Sequence, residues 1–199
     1  MRRAELKVIG IQTSPNEDGL TATMARMALD GAAAAGAQVE LVHLRKLNLE
    51  ACRQCDDGWG RCRREGLCII EDDLESVRQR IGAANAVVVS TPVYFGDVSE
   101  VAKSFLDRLR RCEIHTKDST LKGTPVLSIA AAGGGGGGGP TCLVSLERYY
   151  GVLGWPVFDG LIVTRRSREY MLHAARAAGE KLVAHVEQEA SIRGRAPAS

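Results

Sequence analysis

The chain has 199 residues with 45% apolar content, and its 26 basic and 24 acidic side chains leave a formal net charge of +2. That length suits a single domain with a full core. The composition favours no disordered, collagenous or coiled-coil chain, and the near balance of charge does not suggest wholesale nucleic-acid binding, while it leaves room for a local basic patch facing a phosphate-bearing ligand.

The amino terminus reads MRRAELKVIGI. Its two arginines precede an apolar run that is short and already strand-like, so no signal peptide is expected. No window approaches the ~18 apolar residues of a membrane span, and a cytoplasmic protein with no membrane partner is expected. Residues 6–11 are continuous and β-branched, as a buried parallel strand should be. Leu20, Met24, Met27 and Gly31 then share one helical face, with Gly36 as the stop. Residues 39–42 give a second strand, and a polar, cysteine-rich stretch follows. Asp72 and Glu75 stand at capping-box spacing before a short helix lined by Leu74, Val77 and Ile81. Residues 86–90 form a third strand, and Val98, Val101, Phe105 and Leu109 mark the next helix. Residues 125–131 form a fourth strand, which leads into seven consecutive glycines at 133–139. A helix through Leu143, Leu146 and Tyr150, a strand at 157–163 and a helix from about 168 to 192 complete the chain.

Strands that alternate with helices predict an α/β fold, an open parallel sheet covered on both faces and joined by right-handed crossovers. The expected architecture is a flavodoxin-like three-layer sandwich with strand order 2-1-3-4-5. One domain is expected over residues 1–199, with a Cys-rich loop at 50–70. Open sheets of this kind bind ligands at the carboxyl ends of their strands, where the first and third strands part.

Three segments fall there. Residues 13–21, TSPNEDGLT, are rich in hydroxyls and end at a helix start, where free N–H groups attract phosphate. They lack both the Walker ending and the GxGxxG fingerprint, so one terminal phosphate fits better than a pyrophosphate. A plain strand-to-helix turn capped by Ser14 or Thr21 is the competing reading. Residues 91–99, TPVYFGDVS, put adjacent aromatics in the facing loop, suited to a stacked flat ring or simply to covering the core edge. The glycine run lets backbone pass close to a planar ring, or is a flexible loop.

Cys52, Cys55, Cys62 and Cys68 lie in one loop, in the pattern C-x2-C-x6-C-x5-C. In a reducing compartment this points to metal or redox chemistry. Four thiolates can hold a [4Fe–4S] cluster or zinc; free thiols or a reversible disulfide are the alternatives. Arg53, Arg61, Arg63 and Arg64 share the loop, and either attract an anionic ligand or form a solvated surface. Cys112 and Cys142 stand apart as ordinary buried residues, and the four histidines show no ligand spacing.

The stretches KVIGIQTSPNEDGLT and TPVYFGDVSEVAKSFLDR, with the cysteine spacing and GLCIIEDDLE behind it, resemble the NADPH-dependent FMN reductase and iron–sulfur flavoprotein families. The likeness runs from about residue 7 to 161. It implies FMN as cofactor and a homodimer or tetramer. By that likeness Ser14, Asn16, Gly19, Leu20 and Thr21 hold the FMN phosphate. Pro92, Val93, Tyr94, Phe95 and Gly96 line the isoalloxazine, with Gly133 and Gly134 on its other side. One departure is Asn16, where the family often has arginine. The compact cysteine motif of the iron–sulfur flavoproteins has a shorter middle gap.

The expected function is an FMN-dependent NAD(P)H oxidoreductase. It would pass electrons from a nicotinamide nucleotide to a small-molecule or protein acceptor such as flavin, quinone or a redox partner. The flavin does the chemistry, so no catalytic acid or base is assigned. The alternatives are a pure electron-transfer iron–sulfur flavoprotein without a nucleotide site, and a zinc-binding regulatory module.

Overall fold

A computed structural model describes residues 6–195. Five strands, β1 (Lys7–Gln12), β2 (Gln38–His43), β3 (Ala86–Pro92), β4 (Val126–Ala132) and β5 (Val157–Thr164), form one sheet of order β2-β1-β3-β4-β5. Every neighbouring pair is parallel. Six helices connect or flank them: α1 (Leu20–Ala34), α2 (Arg61–Glu65), α3 (Leu74–Gly82), α4 (Glu100–Glu113), α5 (Gly139–Leu153) and α6 (Arg168–Arg195). The strand order is the flavodoxin-like one, with β1 and β3 flanking the switch point.

β3 and β4 are buried along their whole length, which is why their sequences run apolar without alternation. Successive side chains still point to opposite faces. Ile9, Ile11, Val87 and Val89 join α3, α4 and α5 in one core. Val8, Val88, Leu127 and Ile129 join α1 and α6 in the other. On that second face two glycines let the helices meet backbone to backbone. A Cβ on Gly31 of α1 would lie 1.9 Å from the carbonyl oxygen of Arg176, and one on Gly179 of α6 would lie 1.8 Å from that of Ala28.

Two local expectations need correction. Asp72 and Glu75 do not form a capping box. The Asp72 carboxylate accepts from the N–H groups of Leu74 (3.2 Å) and Glu50 (2.9 Å), while Glu75 turns to Arg78 and Gln79. A buried arginine claims the rest of Asp72, and that tertiary contact outweighs the local motif. The cysteine-rich stretch also contains a short helix, α2, which has no apolar stripe to announce it. It ends on Gly66 at φ +68°, a left-handed cap that glycine adopts without strain.

Candidate functional site

The carboxyl ends of β1 and β3 are adjacent, with Gln12 opposite Ser90. The loops that leave them are tied together by buried polar groups. The Thr13 N–H donates to the Ser90 carbonyl (3.0 Å) and the Ser90 hydroxyl to the Thr21 carbonyl (2.8 Å). Ser99 caps α4 by accepting from the Ala102 N–H (3.2 Å), and its hydroxyl donates to the Thr13 carbonyl (2.9 Å). Burying these groups is tolerable because each finds a partner.

This frame positions the predicted phosphate loop. Ser14 and Thr21 are buried, Asn16 is exposed, and Gly19 and Leu20 are half-buried. The Ser14 hydroxyl accepts the Asn16 N–H (3.1 Å), and the Asn16 side-chain oxygen accepts the Asp18 N–H (3.0 Å), so the loop is pre-shaped. Gly19 is the N-cap of α1 and offers no side-chain acceptor, so the first-turn N–H groups are left for an anion, the end at which the helix dipole favours one. The nearby cations are Arg26, which donates to the Glu17 carbonyl (2.7 Å) and pairs with Asp18, and Lys46, which pairs with Glu17.

The facing loop is a tight turn. Tyr94 and Asp97 exchange both backbone hydrogen bonds around Phe95 (φ +51°) and Gly96 (φ +83°), a primed turn of the hairpin kind. Glycine accepts such a φ freely and phenylalanine does not. The turn carries Phe95 fully into solvent and leaves Tyr94 42% exposed, while Pro92 is buried at the end of β3 and Val93 is half-buried. The glycine run packs against this turn. Gly138, at φ +82°, comes so near that a Cβ on it would sit 2.6 Å from the Gly96 Cα, and the Thr141 hydroxyl bonds the carbonyls of Gly96 (2.6 Å) and Gly138 (3.0 Å). Gly133 and Gly134 are exposed with open space over their Cα atoms. All twelve predicted residues therefore lie at one end of the sheet, nine on the three loops, with Leu20 and Thr21 in the first turn of α1 and Pro92 closing β3. A residue missed from sequence is Gln12. It is wholly buried and donates to the Asn16 carbonyl (3.1 Å), and its Oε1 has no partner. An apolar strand ending in a glutamine is the signal that would have pointed to it. Free first-turn amides, bare glycine backbone and exposed aromatics together fit a phosphate-bearing planar cofactor such as FMN. A cavity of about 530 Å³ opens at the opposite end of the sheet, by Thr124, Pro156 and Glu189, and none of the predicted residues lines it.

The cysteine loop lies against α4. Cys52, Cys55, Cys62 and Cys68 line one pocket, and no disulfide joins them. Cys112 does not stand apart as expected: it lines the same pocket one helical turn beyond Arg108, and burial together with nearby Cys68 pushes its thiol up to about 12. Arg108, 2% exposed, holds the loop at both ends. It donates to the Glu50 carbonyl (3.0 Å), to both Asp72 oxygens (2.5 and 2.9 Å) and to Cys68 Sγ (3.2 Å). Burial opposes ionisation of Asp72, but Arg108 and the two backbone N–H groups outweigh it and hold the carboxyl below its usual range. Trp59, in the wide middle gap, packs under the Arg111 guanidinium at 4.1 Å and edge-on to His115 at 5.4 Å. Four thiols are the donor chemistry of a [4Fe–4S] cluster. Among the described residues, no three His, Cys, Asp or Glu side chains are gathered closely enough to hold a single metal ion.

The family model of NADPH-dependent FMN reductases matches residues 6–167. The chain belongs to that family. Over 109 residues it is 36% identical to an iron-sulfur flavoprotein of Methanocaldococcus jannaschii, a match covering 55% of this chain and 54% of that protein. Over 103 residues it is 28% identical to an iron-sulfur flavoprotein of Methanosarcina thermophila, covering 52% of each. The matches thus span about half the length of these curated relatives. Among solved structures, an NAD(P)H:quinone oxidoreductase from Methanothermobacter marburgensis superposes with a TM-score of 0.71 at 19% identity, covering 90% of this chain and 96% of that one. A flavone reductase gives 0.73 at 17% identity, covering 92% and 63%. These two likenesses establish the shared fold. No helix among the described residues is long and apolar enough to cross a membrane.

Proposed function

We propose that this protein binds FMN at the carboxyl end of its sheet and carries electrons from a nicotinamide nucleotide to an acceptor such as flavin, quinone or a redox protein. The observation that carries the reading is the meeting of three loops at the switch point. One offers uncapped helix N–H groups, one exposed aromatics, and one bare glycine backbone. In this reading Ser14, Asn16, Gly19, Leu20 and Thr21 receive the phosphate. Residues 92–96 and Gly133 with Gly134 border the ring. FMN, when bound, supplies two-electron acceptance and one-electron donation. The chain holds it and leaves one side open to a second ligand. Family membership and the iron-sulfur flavoprotein relatives support the reading.

Replacing Ser14 and Thr21 together by alanine removes hydroxyls from the phosphate loop, and hydrogen bonds to a charged group contribute about 1.5–3 kcal/mol each. FMN affinity, followed by fluorescence quenching, should fall at least tenfold; unchanged affinity would refute the assigned loop. Anaerobic bleaching of bound FMN by NADPH or NADH tests the nucleotide.

A second reading adds a [4Fe–4S] cluster on Cys52, Cys55, Cys62 and Cys68. The pocket these four thiols share with Cys112, none of them in a disulfide, favours it. It requires about four irons and four sulfides per chain in anaerobic preparations, lost in Cys55→Ser. Iron-free protein that binds FMN fully after anaerobic reconstitution would overturn it.

A further inference from the structure

Two buried side-chain nitrogens without a hydrogen-bond partner belong to the cysteine pocket. They are Nε of Arg108 and Nε of Arg111, and both residues line that pocket together with Cys52, Cys55, Cys62, Cys68 and Cys112. The rest of each guanidinium is committed. The terminal nitrogens of Arg108, a residue 2% exposed, donate to Asp72, to the Glu50 carbonyl and to Cys68 Sγ. Arg111 is half-buried, donates to the Gly58 carbonyl and stacks on Trp59 at 4.1 Å. An unpaired N–H of a charged group is costly in the interior, so two at one pocket call for an acceptor there.

The charges say what kind of acceptor. Arg53, Arg61 and Arg64 are paired with Glu50, Glu65 and Asp56, and Arg108 with Asp72. Arg111 has no carboxylate partner among the described residues, so its positive charge stands uncompensated beside the thiols. Neutral thiols are weak acceptors and carry no charge to oppose it. An iron–sulfur cluster held by thiolates offers anionic sulfur instead, and the contact of Arg108 with Cys68 Sγ at 3.2 Å is already a bond of that type. The free Nε–H groups thus fit such a cluster. We propose that Arg108 and Arg111 supply N–H groups to the sulfur atoms of a cluster held by the cysteine loop and so raise its reduction potential. Reduction adds one electron to a group that is already anionic, and N–H donors and positive charge beside it favour the reduced form. Neither arginine is a ligand. The proposal rests on the cluster reading above.

The test uses FMN-loaded protein reconstituted anaerobically with iron and sulfide. Iron content is measured, and the midpoint potential of the cluster is read by dithionite titration followed by electron paramagnetic resonance. Arg111→Gln removes the uncompensated charge together with its Nε–H. Arg108→Lys keeps the charge that Asp72 requires and removes the Nε–H. Arg61→Gln is the control, because Arg61 lines the same pocket but is exposed and held by Glu65. Bound FMN and thermal melting report the fold. Arg111→Gln and Arg108→Lys should each lower the midpoint potential by at least about 59 mV, a tenfold shift of the one-electron equilibrium. FMN content should be unchanged in both, and the potential of Arg61→Gln should match the wild type. If Arg108→Lys does not fold, Arg111→Gln decides alone. A potential that stays put in the loaded variants, or falls equally in Arg61→Gln, overturns the inference and leaves the cluster standing. So does an Arg111→Gln protein that melts like wild type and binds FMN but takes up no iron, since the arginine would then serve assembly and not potential. An iron-free wild type that binds FMN fully overturns the cluster reading and the inference with it.

Discussion

Phe95 occupies a backbone conformation that costs an L-residue about 1–2 kcal/mol and receives no burial in return, since its ring is fully exposed. Such strain persists where the position serves something other than the fold. Phe95→Gly should therefore leave the thermal stability of the cofactor-free protein within about 1 kcal/mol of wild type while weakening FMN binding. A large loss of stability would show that the ring supports the fold. Asp72 is the opposite case, a fully buried carboxylate paired with Arg108. Asp72→Asn leaves that guanidinium uncompensated and should cost about 3–5 kcal/mol in denaturant unfolding. Because the folded-state pKa of Asp72 is lowered, its contribution is complete above the unfolded value near pH 4 and is lost as pH falls through the lowered one. The acid limb of the stability curve should accordingly flatten in the variant. In the sequence Asp72 read as half of a capping box with Glu75, which the structure does not form. Its partner Arg108, 36 residues away, was visible only as part of a family-like stretch, because sequence spacing does not reveal which distant charges are buried together.

Among the elements, the strands were the most legible. β3 and β4 are wholly buried, so their apolar runs had no competing signal. α2 was illegible because four charged residues around the single Cys62 carry no periodicity. The glycine run was visible but not its internal differences: Gly138 is held against Gly96, whereas Gly133 and Gly134 face open space. Gly31 read as one more apolar position of α1, and nothing local announced that it meets the α6 backbone. Gly31→Ala should destabilise the protein by at least about 2 kcal/mol, since the clash is with a carbonyl oxygen that cannot step aside. Gly151→Ala in α5, where no atom lies within 4 Å of the added methyl, should instead stabilise by about 0.5–1 kcal/mol. Equal effects in thermal melts would remove the packing argument.

For the molecule as a whole, alternation of strands and helices left few topologies, and the ligand-binding end of the sheet followed from them. Exposed Tyr94 and Phe95 at the cleft rim favour a second copy of the chain closing over that end. Sedimentation at micromolar concentration should give a dimer or tetramer, and a monomer would refute the assembly. α4 bears on any such assembly. It starts at Ser99, bonded to the phosphate-side loop, and reaches Arg108, bonded to the cysteine loop. Between those two residues a helix rises about 14 Å. The helix is a spacer of set length, so an electron passing between the two regions would meet a constant gap, and its rate would follow driving force rather than loop motion.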